Sequence, residues 1–291
     1  MMRLRPEPSK SLPAGRAAAR RPGALHNDMT CEAALCAIAR SCAADLRQHG
    51  SAAARGDADA VHHLRIALTR LRTAIRFFAP AFDDTSWRML SLQASWLSRQ
   101  SGPARDIDVA LERQRRNGAT PPQVKRWHRE RNRRYGRLRQ SLRSPRYGRF
   151  IDALKKRSNL QAHDQFSAAS FAAERIAQWR RKLLKRGRRL DRLGEKKRHR
   201  LRLRAKRFRY ALEWSSPFLT DARAVRREKI RQARAIQDAL GPLNDCFTHQ
   251  AQARTLKIDP LPSMVRLGRE KVQARRLKAA ARAFGKLARL H

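Results

Sequence analysis

The feature that most constrains this chain is a helix with two incompatible faces, and it occurs twice. Residues Val61–Phe78 read VHHLRIALTRLRTAIRFF. At about 100° per residue, His62, Arg65, Thr69, Arg72 and Arg76 fall inside an arc of roughly 80°. Leu64, Ala67, Leu68, Leu71, Ala74, Ile75 and Phe78 fall opposite and form the face that seeks a core. Buried on that side, the helix presents a histidine and three arginines in one row. Such a row demands an anion, water or acidic side chains.

The pattern returns in His199–Ser215, HRLRLRAKRFRYALEWS, where the same offsets give His199, Arg202, Lys206, Arg209 and Glu213. The histidines His62 and His199 are 137 residues apart, and Gly102-Pro-Ala-Arg-Asp106 recurs as Gly241-Pro-Leu-Asn-Asp245 at a spacing of 139. That period is far longer than a solenoid unit. The expectation is an all-α fold of two pseudo-symmetric helical bundles produced by internal duplication, since no segment shows strand alternation. Residues 1–29, rich in Pro, Arg and Ala, read as a disordered basic arm, with 30–160 as the first helical half and 161–291 as the second.

Helix signals fill in the halves. Thr30 caps a first helix that runs to about Gln48 and stops at Gly50, and Asp57 or Asp59 caps the stripe helix, which ends before Pro80. A third helix over 84–101 is broken by Gly102-Pro103, and a fourth covers Arg105 to about Arg116. Thr120-Pro-Pro opens a long fifth helix to about Leu142, with Trp127 and Leu138 inward and arginines outward. A short helix over 145–160 and a polar loop to about Phe166 lead into the second half. There helices are expected over Ser167–Arg186, 194–215, 221–240 and Leu243–Leu256, then a turn with Pro260 and Pro262 and a last helix to about Leu287.

Charge narrows the partner. The 291 residues hold 68 Lys and Arg against 24 Asp and Glu, a formal charge of +44. Such an excess repels itself on folding and attracts polyanions: nucleic acid, anionic membrane or inorganic polyphosphate. Hydrophobic residues at 41% still supply a core. Cys31, Cys36, Cys42 and Cys246 show no CxxC and no zinc spacing, and three of them sit as small filler in one helix. No apolar run reaches the roughly 18 residues of a membrane span, and the basic N-terminus lacks an apolar leader segment. A reducing, cytoplasmic setting is expected; composition sets no oligomeric state.

The segments VHHLRIALTRLRTAIRFF, RHRLRLRAKRFRYALE, GPARDIDVAL and QDALGPLND resemble the CHAD family, the conserved-histidine α-helical domain. Its pattern is a Val-His-x-Leu-Arg helix with a downstream Arg-Arg-x-Arg, then Gly-x-x-Arg-Asp-x-Asp-Val, then a second copy. The likeness covers roughly residues 30–290. It implies two bundles about a pseudo-two-fold axis with a basic channel between them that binds inorganic polyphosphate, and hence association with polyphosphate granules. Carried over, the first motif falls on His62, Arg65, Arg70, Arg72 and Arg76, and the second on His199, Arg202, Lys206, Arg207 and Arg209, with Tyr210 beside them. Arg105, Asp106 and Asp108 match the acidic-basic segment of the first half, and Asn244 and Asp245 that of the second. Two departures stand out: Thr69 where an arginine is usual, and Glu213 at the place equivalent to Arg76.

The residue chemistry agrees with that implication. Arginine offers a planar fork that matches phosphate oxygens, and lysine adds a movable point charge. A stripe from i to i+14 is about 21 Å long, so two facing stripes make a row of donors for a linear polyanion. Asp106 and Asp245 are expected to cap the helices that follow them or to pin arginines. The leading expectation is a non-catalytic polyphosphate-binding module with no cofactor and no metal. Sequence-independent nucleic-acid binding is the first alternative, but the stripes lack the interleaved aromatics used for base stacking. A metal-dependent phosphohydrolase using Asp106, Asp108 or Asp245 is the second. Membrane-surface binding lacks a helix with a large exposed apolar face.

Overall fold

A computed structural model describes residues 25–82, 84–116, 123–160 and 166–290. Among them the secondary structure is helical, with one isolated bridge, Thr30 to Ser167, and no strand. The helices are α1 (Cys31–Arg55), α2 (Ala58–Phe78), α3 (Thr85–Arg116), α4 (Gln123–Arg143), α5 (Pro145–Asn159), α6 (Ala168–Gly187), α7 (Glu195–Trp214), α8 (Arg223–Leu256), α9 (Pro262–Leu267) and α10 (Glu270–Arg289). The stripe helices expected from the sequence are α2 and α7.

Local chemistry sets several of these boundaries. The Thr30 side chain accepts the Ala33 N–H at 3.2 Å and opens α1, and Asp57 accepts from Asp59 and Ala60 at 2.8 Å to open α2. The expected stop of the first helix at Gly50 is corrected. Gly50 lies inside α1, where a β-carbon would stand 2.6 Å from the Tyr147 hydroxyl. That hydroxyl instead donates to the Leu46 carbonyl at 2.9 Å. The glycine makes room for a tyrosine, and α1 ends at Gly56, whose φ of 104° is the left-handed cap.

Both Gly-Pro breaks are also corrected. Thr85–Arg116 and Arg223–Leu256 are single helices of 32 and 34 residues, with Pro103 and Pro242 inside them. Conversely, the last expected helix is two, α9 and α10, each with a backbone opening of its own. The basic arm expected over 1–29 lies outside the described residues up to position 24. From there Leu25 and Met29 pack onto the core, and Met29 O accepts the Ala168 N–H at 3.0 Å. The Thr120-Pro-Pro opening and most of the polar loop before Phe166 also lie outside the described residues.

The apolar faces of α1, α2, α6 and α7 meet in one large core. Phe77 touches Phe171, Trp179 and Trp214 edge to face, with ring centroids 5.3–6.2 Å apart. A smaller core lies at the far end, where Ile107 and Leu111 of α3 and Trp127 of α4 meet Ala253, Leu261 and Met264. There Trp127 stacks on His249 at 4.3 Å and its indole N–H donates to the Asp259 carbonyl at 3.0 Å. With both cores on the apolar faces, the basic stripes of α2 and α7 are turned toward a common cleft.

Candidate functional site

The cleft encloses about 1240 Å³ and is walled by α2, α3 and α7, with parts of α6 and α8. From α2 come His62, Arg65, Arg72 and Arg76; from α7, His199, Arg202, Lys206 and Arg207; from α3, Arg105. Nine of the eleven residues expected from the sequence therefore line one space. The structure does not bring the other two to it. Arg70 is buried on the other side of α2, with Asp45 at 3.7 Å. Arg209 is held by Glu213 at 2.5 Å and lies 4.5 Å over the Tyr210 ring.

Sequence reading missed the α3 wall. Arg88, Ser91, Ser95, Ser98 and Arg99 line the cleft together with Arg105, Asp106 and Arg113 further along the same helix. From Arg88 to Arg116 this wall spans about 42 Å at 1.5 Å per residue. Its signal was present as a small-or-basic stripe at helical spacing, but the supposed Gly-Pro break cut the stripe in two. The serines leave the floor low and satisfy their own hydroxyls by donating backward along the helix, Ser95 to Ser91 O at 2.7 Å and Ser98 to Ala94 O at 2.8 Å. Thr69 does the same toward Arg65 O at 2.8 Å.

The glycines of the two Gly-Pro pairs explain how the inner arginines are seated. A β-carbon on Gly102 would stand 3.3 Å from Arg65 Nη1, and one on Gly241 would stand 3.5 Å from Arg202 Nε. Each arginine lies across the glycine of the neighbouring long helix. Arg65 also donates to the Ser98 carbonyl at 2.9 Å and to the Ser101 hydroxyl at 3.3 Å, close to the turn where Pro103 withholds an N–H. Arg202 Nε is buried with no hydrogen-bond partner among the described residues.

Electrostatics make the cleft costly when empty. Arg65, Arg72, Arg202, Lys206 and Arg207 enter no ion pair with a described residue. Burial, followed by Arg202, Arg65, Arg209 and Arg105, pushes the Lys206 ammonium down to about 7. Burial, with Arg105, His63 and Lys206 adding repulsion, pushes His62 down to about 4. Arg72 and Arg207 are lowered in the same way, burial first and neighbouring arginines second, and Arg65 is lowered by burial, with Asp106 opposing and Arg105, Arg202 and Arg72 adding to it. His199 is lowered by burial, against its hydrogen bond to Asn244.

The acidic residues of the motif have different settings. Neither Asp106 nor Asp245 caps a helix, because α3 and α8 run through both Gly-Pro pairs. Asp245 accepts from Arg113 at 2.7 Å, which ties α8 to α3. Asp106 is raised by burial, with Arg65 opposing that rise and Asp245 adding to it. Asp108 faces away from the cleft, accepting from Arg131 at 2.7 Å and from Tyr135 at 2.5 Å, and Arg131 continues to the Gly56 carbonyl at 3.0 Å. Among the described residues no three His, Cys, Asp or Glu side chains form a group that could hold a metal ion. No helix there is long and apolar enough to cross a membrane.

Known proteins can be set beside this geometry. A family model described as the CHAD domain matches residues 37–254. Among solved structures, the crystal structure of the CHAD domain from the plant Ricinus communis superposes with a TM-score of 0.69 at 24% identity, covering 94% of this chain and 92% of that one. PptA from Streptomyces chartreusis gives 0.59 at 17% identity, over 91% and 99% of the two chains. At these identities the likeness is one of fold. No curated protein matches the chain.

Proposed function

The chain belongs to the CHAD domain family, and from that premise we propose that it is a non-catalytic module that binds inorganic polyphosphate in the α2–α3–α7 cleft. One observation carries this reading: a cleft of about 1240 Å³ in which Arg65, Arg72, Arg202, Lys206 and Arg207 form no ion pair with a described residue. Buried like charges raise the free energy of the empty protein, and a row of phosphates lowers it. His62, Arg65, Arg72, Arg76, Arg105, His199, Arg202, Lys206 and Arg207 would hold the chain of phosphates, while Arg70 and Arg209 would not. The same reading takes 30–160 and 161–291 as two halves of a duplicated domain, supported by the paired seats of Arg65 on Gly102 and Arg202 on Gly241.

The shape of the site favours a slender polyanion over nucleic acid. Serines and Thr69 form its floor, and no Phe, Tyr or Trp among the described residues lines it for base stacking. Competition decides the matter. Long-chain polyphosphate is expected to displace single-stranded DNA at matched phosphate concentration and salt, with affinity falling steeply as salt rises. Equal affinity for the two polymers would overturn the assignment. Incubation with polyphosphate, nucleoside triphosphates and Mg²⁺ is expected to release no phosphate, and release abolished by Asp106→Asn would replace a binding module with a hydrolase.

A further inference from the structure

The cations do not end with the cleft, and their two continuations differ. On one side Arg72 of α2 faces Arg99 of α3, and Arg76 adds to the repulsion that both Arg72 and Arg207 feel. Arg88 and Arg175 extend this path. Arg175 is fixed by donating to the Arg76 carbonyl at 3.2 Å, and its Nε is buried without a hydrogen-bond partner. On the other side the order of helices is the same, with α8 packed along α7 as α3 packs along α2. There Arg209 borders Lys206, which it repels. The next cation along, Arg234, comes from α8.

Between them stands a carboxylate. Glu213 Oε1 lies 2.5 Å from Arg209 Nη1 and 3.8 Å from Arg234 Nη2. Arg209 Nε also donates to Gln237 at 3.4 Å, so its fork is occupied at both ends. Behind it, Arg70 is matched by Asp45 at 3.7 Å. Arg209 and Arg234, the two cations next outward along α7 and α8, thus already face an acid, as does Arg70 behind them.

We infer that a bound polyanion leaves the central cations in one direction, along the α2–α3 groove toward Arg76, Arg88 and Arg175, and that Glu213 closes the opposite path by occupying Arg209 and Arg234. This rests on the polyphosphate reading and adds a polarity to it. Glu213 is the residue that sets how long a chain the protein contacts. A phosphate approaching Arg209 would have to displace a carboxylate already placed at hydrogen-bond distance, and would meet its charge at close range. A phosphate approaching Arg72 meets Arg99, Arg76 and the α3 serines; the carboxylate on that side, Asp84, is paired with Arg157 at 2.6 Å rather than with a cation of the groove.

A chain-length series of polyphosphates, titrated into the wild type and Glu213→Gln at fixed phosphate and salt, tests the inference. Wild-type affinity is expected to rise with length and level off once the α3 groove is filled. In Glu213→Gln the plateau is expected at longer chains and about tenfold tighter, because Arg209 and Arg234 become available. In the wild type, Arg234→Ala is expected to change affinity for any length by less than twofold, a variant at an exposed site that leaves folding intact. Coincident length profiles for wild type and Glu213→Gln, or a tenfold loss from Arg234→Ala, would overturn it. Failure of the wild type to bind polyphosphate at any length would sink the parent assignment instead, so the two outcomes are distinguishable.

Discussion

The stripes of α2 and α7 begin alike and end differently. His62 and His199 head them, and Arg65 and Arg202 lie across matching glycines of α3 and α8. Four residues further, α2 has Thr69, its hydroxyl turned back on its own helix, where α7 has Lys206. Beyond that, Arg72 and Arg76 face other cations, whereas Arg209 meets Glu213 on the next turn. The contrast shows that arginines at corresponding places on two similar helices can be paired with a carboxylate in one and left without one in the other. Counting basic residues on a helix face does not reveal which condition holds.

The largest effect that would sharpen this contrast compares two charge-matched double variants. Arg72→Ala with Arg99→Ala removes two unpaired cations, and each fitted charged contact contributes on the order of 1.5–3 kcal/mol. Polyphosphate affinity is therefore expected to fall about a hundredfold or more. Arg209→Ala with Arg234→Ala removes the same charge from paired residues, and the loss is expected to stay below about tenfold. Equilibrium titration at fixed salt reads both. Equal losses would erase the distinction between the two stripes and leave a diffuse charge cloud holding the ligand.

A tenfold effect comes from pH. Lys206, with its affinity for protons lowered to about 7 in the empty cleft, gains a proton when phosphate arrives. A group whose pKa is raised by binding contributes fully below its free-state pKa, and the contribution is lost as pH rises through the bound-state value. Affinity is thus expected to fall about tenfold between pH 6 and pH 8, with proton uptake measurable by calorimetry in buffers of different ionisation enthalpy. Lys206→Met should flatten that profile. The threonine at the matching place on α2 adds no titrating group of its own.

The smallest effect concerns the empty protein and reverses sign between the helices. Arg72 feels burial and the repulsion of Arg99 and Arg76, so Arg72→Met is expected to stabilise the ligand-free protein at low salt, raising its melting temperature by about 2–4 °C. Arg209 has side-chain exposure of only 12% and a carboxylate partner. Arg209→Met leaves Glu213 facing only the more distant Arg234 and should destabilise by a similar amount. Thermal unfolding of the two variants measures the difference, and shifts of one sign would break the comparison.

Much of this was legible in the chain because helix faces follow from spacing alone. The apolar face of α2 predicted from the sequence is the one buried, and nine of the eleven named positions line one cleft. The pairing of Arg209 with Glu213 was also readable, since residues four apart on a helix are neighbours. The match of Arg70 with Asp45 was not, because it joins different helices. The α3 wall stayed hidden because Gly-Pro ordinarily ends a helix. Here the glycine admits Arg65, whose guanidinium reaches the Ser98 carbonyl, and the helix runs on through Pro103. Gly50 misled for a related reason, its missing side chain serving Tyr147 rather than a chain reversal.

The small second core has a consequence in time. Trp127 is covered by His249, Leu261 and Met264, and its indole is satisfied by the Asp259 carbonyl. Met264 follows Trp127 by 137 residues, which at about 5–20 residues per second of synthesis is roughly 7–30 s. Throughout that interval the nascent first half carries an uncovered tryptophan beside Ile107 and Leu111, on a chain dense in arginine. The seam joins early and late parts of the chain, and pulse-labelled chains halted before residue 259 should show Trp127 open to solvent quenchers.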